Sequence, residues 1–138
     1  MNAPFEVAKS TLCNPFDVIV SWDVIEHVPK PSIFIHDAAS LLKPGGIFAF
    51  STMDIDSRFA KLLGKYWPWI MQMHLYYFTT PVLKDMLARQ GLELIHADSY
   101  RHYASLKYMY KKFIYSLPSS WHKTLSKLGF AIPEIILP

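Results

Sequence analysis

Phe16-Asp17-Val18-Ile19-Val20-Ser21-Trp22-Asp23-Val24-Ile25-Glu26-His27-Val28 is the stretch that decides the fold. Its first seven residues read as a strand. The run Val18-Ile19-Val20 lacks polar alternation, which predicts burial on both faces, as in a parallel sheet. Pro29 and Pro31 punctuate the chain next. Pro31 suits the first turn of a helix, where its missing N–H costs nothing. The helix is expected to run to about Lys43, with Phe34, Ala38, Leu41 and Leu42 on one face. Lys43-Pro44-Gly45-Gly46 ends it, because proline cannot continue a helix and glycine permits a positive-φ exit.

Farther out, Ile47 to Thr52 (IFAFST) is a second strand. A helix is expected from about Asp56 to Tyr66, with Phe59, Leu62, Leu63 and Tyr66 at helical spacing. Tyr66 to Phe78 is apolar without a clear period, and Pro68 argues against one continuous helix there. Thr79-Thr80-Pro81 starts a helix that Gly91 ends. Leu92 to Ser99 alternates well enough for a third strand, and a basic, aromatic helix follows from about Tyr103 to Tyr115. The remainder reads as helix fragments and loop. Strands alternating with helices indicate an α/β sheet with right-handed crossovers. Ligands bind such sheets at the carboxyl ends of the strands. That rule puts Ser21, Trp22 and Asp23, with Ser51 to Asp54, near any site.

Composition agrees with a globular chain: 138 residues, 51% hydrophobic and 18% charged. The aromatic share, 15%, is high enough to build an apolar pocket as well as a core. Cys13 is the only cysteine, so no intrachain disulfide forms, which suits a reducing compartment. MNAPFEVAKS has no apolar core of a signal peptide, and no apolar run reaches a membrane-spanning length of about 18 residues. A cytoplasmic location is expected. The net charge of +3 is uneven: from Ser99 to Pro133 there is no acid, while Arg101, Lys107, Lys111, Lys112, Lys123 and Lys127 fall there. Such a stretch favours an anionic partner.

The stretch FDVIVSWDVIEHVPKPSIFIHDAASLLKPGGIFAFST resembles the fourth strand, following helix and fifth strand of class I S-adenosylmethionine-dependent methyltransferases. The ubiquinone-biosynthesis-like subgroup is the most similar. WPWIMQMHLYYFTTPVLKDMLARQGLELI is similar to that subgroup's histidine, aromatic and FT element with its downstream helix and strand. The resemblance covers roughly Phe5 to Leu128. It implies a partial Rossmann-like fold of three layers, with a mostly parallel sheet retaining strands four to six of the family. It implies one partial domain over 1–138, with sheet and crossover helices in 1–99 and a basic aromatic helical region in 100–138.

The family binds its cofactor through a glycine-rich turn after the first strand, where glycine lets the backbone approach the ligand. Glycine occurs here only at 45, 46, 64, 91 and 129, with no GxG pattern. Phe5 to Leu12 resembles the end of the third strand, so the first two strands have no counterpart. The chain is therefore expected to be a fragment, inactive alone, of an enzyme that methylates a small, apolar acceptor.

By this resemblance Ser21, Trp22 and Asp23 lie beside S-adenosylmethionine. Trp22 either faces the sulfonium or adenine, since aromatic faces attract cations, or caps the sheet as a core tryptophan. His27 and His74 are the candidate catalytic bases, because histidine titrates near neutrality. The plain alternatives are that Glu26 and His27 orient a loop and cap the next helix, and that His74 makes a structural hydrogen bond. No metal site is expected from His36, His96, His102 and His122, which lack ligand spacing around Cys13. Asp54 and Asp56 read as turn and helix-cap residues. Trp67-Pro68-Trp69 with Met71 and Met73 is either a lid over an apolar acceptor or core.

The basic aromatic helix offers peripheral contact with an anionic membrane, against the default of a solvated face. Nothing beyond interleaved basic and aromatic residues points to nucleic acid. A noncatalytic module docking to a partner or membrane is the competing reading, and the oligomeric state is open.

Overall fold

The computed structural model describes residues 15–99, 104–117 and 136–137. Phe5 to Leu12, Cys13, His102 and His122 lie outside the described residues, as does most of the chain after Leu117. The first strand, β1 (Phe16–Trp22), helix α1 (Pro31–Leu41) and strand β2 (Leu42–Ser51) form a parallel β-α-β unit. Pro31 opens α1 as expected, and Lys30 at the N-cap makes no side-chain cap bond. The buried side of α1 is centred on Ile35 and Ala38, with Phe34 at its margin.

The Lys43-Pro44-Gly45-Gly46 turn sits within the early part of β2 as an irregularity. Phe16 pairs with Leu42 while Val18 pairs with Ile47, so the intervening residues loop out of the ladder. Gly45 has φ +79, a conformation open to glycine, and a Cβ on Gly46 would lie 3.1 Å from the Phe16 carbonyl oxygen. Lys43 fastens the turn to the start of β1, its Nζ donating to both carboxylate oxygens of Asp17 at 2.8 and 2.9 Å.

Helix α2 (Arg58–Leu63) follows, then a 3₁₀ turn (Gly64–Tyr66) and helix α3 (Thr80–Ala88). Ser57, rather than Asp56, caps α2: its hydroxyl accepts from the Ala60 N–H at 3.2 Å. Asp56 pairs with Lys61 at 3.2 Å instead. Gly91 closes α3 at φ +75, with its own N–H on the Ala88 carbonyl and the Leu92 N–H on that of Leu87. These are the two bonds of a glycine-terminated helix cap.

A two-residue antiparallel ladder joins β3 (Ala104–Ser105) to β4 (Ile136–Leu137). Helix α4 (Leu106–Ser116) is the expected basic aromatic helix, capped by the Ser105 hydroxyl. The chain divides into two compact units, Met1–Asp54 with Leu75–Ala97 and Ile55–His74 with Asp98–Pro138.

The core of the first unit is Ile25, Ile35, Phe78 and Leu87, with Phe48, Phe50, Leu83 and Leu94 packed around it. Phe48 and Phe50 pair with Ile19 and Ser21, so this is the inner face of the sheet. On the other face Val18 (53%), Val20 (59%) and Trp22 (62%) are exposed, together with Ile47. The expected burial of β1 on both faces is therefore not met. The partial Rossmann-like α/β reading stands, with α1 and α3 packed on the inner face of the parallel strand pair.

The expected third strand also needs correcting. Leu92 and Leu94 point inward and Glu93 outward, so the alternation is real. Yet 92–99 enters no ladder among the described residues. Alternation sorts side chains between two faces, but a strand exists only where a neighbour supplies backbone donors and acceptors.

The helical face expected of Phe59, Leu62, Leu63 and Tyr66 is not a buried stripe either. Phe59 and Leu62 are exposed, and Ala60 is the buried residue of α2.

Candidate active site

The carboxyl ends of β1 and β2 lie side by side, with Ser21 paired to Phe50 and Trp22 to Ser51. Ser21 is on the inner face and buried, and its hydroxyl has no hydrogen-bond partner among the described residues. A buried hydroxyl in that state costs free energy unless something bonds to it. Trp22 alternates to the outer face and is exposed. Neither side of that strand end makes it a core tryptophan within the described residues.

Asp23 leaves the strand at φ 52, the one described non-glycine residue with positive φ. Aspartate tolerates this region when its short side chain bonds locally. Here the bond comes from the neighbouring strand. The Asp23 N–H donates to the Ser51 hydroxyl at 3.0 Å and to the Ser51 carbonyl at 3.2 Å. The Ser51 hydroxyl in turn donates to Asp23 Oδ1 at 2.7 Å. This reciprocal pair turns the chain sharply where the strand ends.

The following turn is anchored by Glu26, which is 1% exposed. Its Oε2 accepts from the Thr52 hydroxyl at 2.9 Å, while Oε1 has no partner among the described residues. Its carbonyl accepts from the Leu75 and Tyr76 N–H groups at 2.8 and 3.3 Å. The Tyr76 hydroxyl donates to the Pro29 carbonyl at 2.9 Å. Residues 23–29 are thus held between the end of β2 and the 75–76 segment. Glu26 orients this loop, as one sequence reading expected, but its side chain goes to Thr52 rather than capping α1.

His27 is half-buried in the same turn, its N–H on the Val24 carbonyl at 2.9 Å. His74 belongs to the other unit. It is buried, with Nδ1 2.9 Å from the Trp69 carbonyl. A carbonyl only accepts, so Nδ1 carries a hydrogen in this contact. Ser21, Trp22, Asp23 and His27 are therefore gathered at one strand end.

Sequence reasoning placed Ser51 and Thr52 near the site but gave them no role. Their signal was available: two hydroxyl residues at the end of a strand whose parallel neighbour ends in Ser-Trp-Asp. Glu26 was read only beside His27, although a buried carboxylate with one unpaired oxygen is the more unusual group.

A family model described as a methyltransferase domain matches residues 3–97, more than half of the chain. The ubiquinone biosynthesis O-methyltransferase of Caulobacter vibrioides is 50% identical over 40 residues, which is 29% of this chain and 16% of that protein. The protein of the same name from Maricaulis maris is 43% identical over 44 residues, 32% of this chain and 17% of that one. The Colwellia psychrerythraea counterpart is 42% identical over 48 residues, 33% and 20% of the two chains. The matched stretch spans only about a sixth to a fifth of these relatives' length. No solved structure matches.

Proposed function

The chain belongs to the methyltransferase-domain family, and from that premise we propose that it forms one wall of an S-adenosylmethionine-dependent methyl-transfer site in the whole protein. The supporting observation is the clasped turn at Asp23, at the carboxyl end of two parallel strands, where ligands of open α/β sheets bind. The unpartnered Ser21 hydroxyl beside it suits a polar ligand. Bound there, S-adenosylmethionine supplies an electrophilic methyl group on a sulfonium. Ser21, Trp22 and Asp23 would hold it, Trp22 through its exposed ring face.

The relatives' name, ubiquinone biosynthesis O-methyltransferase, favours a hydroxyl oxygen on a small, apolar, quinone-like acceptor. When that oxygen takes the methyl group it loses its proton, and His27 or His74 is the candidate to receive it. The main contribution of this wall is alignment, since a rigid strand end fixes where the donor lies. The opposite wall would come from a glycine-rich turn, and no GxG pattern occurs in these 138 residues.

Calorimetric titration of the 138-residue chain with S-adenosylmethionine tests this division. No heat at micromolar ligand is expected, and a micromolar Kd would show that this chain builds a complete cofactor site. In the whole protein, transfer of a radiolabelled methyl group to a hydroxylated, quinone-like acceptor is expected, and Asp23→Ala should depress it at least tenfold. Unchanged transfer by that variant would remove the assigned role of the strand end.

A further inference from the structure

The peptide link between Glu26 and His27 is bonded on both sides. Its carbonyl accepts from the Leu75 and Tyr76 N–H groups at 2.8 and 3.3 Å, and its N–H donates to the Val24 carbonyl at 2.9 Å. Beyond His27, Pro29 biases Val28 toward extended backbone, because its ring crowds the residue before it. The Pro29 carbonyl then accepts from the Tyr76 hydroxyl at 2.9 Å. His27 is therefore flanked by two fixed carbonyls, and Tyr76 bonds to both. With the backbone pinned, the imidazole keeps only rotation about its own side-chain bonds. A carboxylate oxygen of Glu26 lies within 4.8 Å of a His27 ring nitrogen. The ring thus sits beside the carboxylate that Thr52 holds just past the end of β2.

Tyr76 is itself held from the core. Its ring stacks with that of Phe78, the centroids 6.1 Å apart and the planes at 26°. Phe78 is buried in the core of the first unit and bridges to Asp54, just past β2. Phenylalanine at position 76 would stack on Phe78 equally well. The phenol adds one thing, the bond from its hydroxyl to Pro29.

We propose that Tyr76 is a positioning residue for His27, which receives the hydroxyl proton of the acceptor in methyl transfer. The inference rests on the methyl-transfer reading of the strand end and deepens it by choosing between the two candidate bases. In that step the acceptor oxygen bonds to the methyl carbon. The sulfonium–methyl bond breaks with its electron pair left on sulfur, and the hydroxyl proton passes to a His27 ring nitrogen. Tyr76 touches neither reactant. It fixes where the proton acceptor stands, and a misplacement of about 1 Å costs up to about a hundredfold in rate.

In the whole protein, Tyr76→Phe removes the hydroxyl bond and keeps the ring. It is expected to lower kcat about tenfold. KM for S-adenosylmethionine should stay unchanged, because the Asp23–Ser51 clasp does not involve Tyr76. His27→Gln should lower kcat further, and adding Tyr76→Phe to it should cost nothing more. A second fall in that background, or an unchanged kcat in Tyr76→Phe alone, would overturn the inference. Another measurement needs no methyl transfer. In the 138-residue chain carrying isotope-labelled histidine, Tyr76→Phe should shift the His27 ring resonances in nuclear magnetic resonance spectra. Those of His36, whose ring meets Gln90, should stay in place. Unmoved His27 signals would overturn the positioning role whatever the transfer assay gives. Moved signals without transfer by the unaltered whole protein would overturn the catalytic role of His27 along with the methyl-transfer reading.

Discussion

Ser51 and Asp23 clasp each other across the ends of two parallel strands: the serine hydroxyl accepts from the Asp23 N–H and donates to the Asp23 carboxylate. This clasp holds an aspartate at φ 52, a region that costs a non-glycine residue about 1–2 kcal/mol. The backbone bond from Asp23 to the Ser51 carbonyl is longer, 3.2 Å, and is independent of either side chain.

Ser51→Ala removes both hydroxyl bonds and leaves that strain in place. A loss of about 1–2 kcal/mol in urea unfolding is expected. Asp23→Gly loses one of these bonds but relieves the strain, so it should cost less than Ser51→Ala. The two sites should couple by about 1 kcal/mol in a double-mutant cycle. Additive effects would mean that the clasp is an incidental contact.

Thr52 supplies the only described side-chain bond to the buried carboxylate of Glu26. Thr52→Val is isosteric and strands that carboxylate, so a loss of about 2–3 kcal/mol is expected. Replacing Glu26 by Met in the same background removes the stranded group. The double variant should therefore be more stable than Thr52→Val alone, a reversal that urea titration detects. If the double variant is the less stable, Glu26 contributes chiefly through packing.

Gly45 and Gly46 are constrained for different reasons, and substitution separates them. Gly45 has positive φ with open space around its Cβ position. Asparagine tolerates that conformation better than alanine, so Gly45→Asn should be milder than Gly45→Ala. At Gly46 the obstacle is the backbone, with the Lys43 and Phe16 carbonyl oxygens 3.0 and 3.1 Å from any Cβ. Alanine and asparagine should there be equally harmful, at about 1–3 kcal/mol by thermal melting.

The parts of the fold that were legible rest on local signals. Pro31 marks the start of α1 and Gly91 the end of α3, each through its own backbone chemistry, whereas α1 stops at Leu41 and Lys43-Pro44-Gly45-Gly46, expected to end it, lies inside β2. Partnership over distance was not legible. Leu92 and Leu94 declare two faces but cannot declare a neighbouring strand. Phe59 and Leu62 share a helical side, yet periodicity does not say whether anything covers it. At the site, the strand-end rule located Ser21 to Asp23 from sequence, whereas the Glu26–Thr52 bond spans 26 positions and emerges only when β1 and β2 pair.

The two faces of the sheet supply the last prediction. Ile35 is fully buried in the core beneath the inner face, beside Ile25, Phe78 and Leu87. Truncating Ile35 to alanine leaves a cavity among these neighbours, and a cost of about 2–5 kcal/mol is expected. Val20 stands on the outer face, more than half exposed, where threonine keeps the β-branched shape and loses little burial. Val20→Thr should shift stability by less than about 0.5 kcal/mol. It should also reduce self-association, because it interrupts the exposed apolar row of Val18, Val20 and Trp22 on a strand that pairs along one edge only among the described residues. Chemical denaturation and sedimentation velocity on the same samples measure both effects. A large loss of stability in Val20→Thr would mean that the outer face is covered in solution.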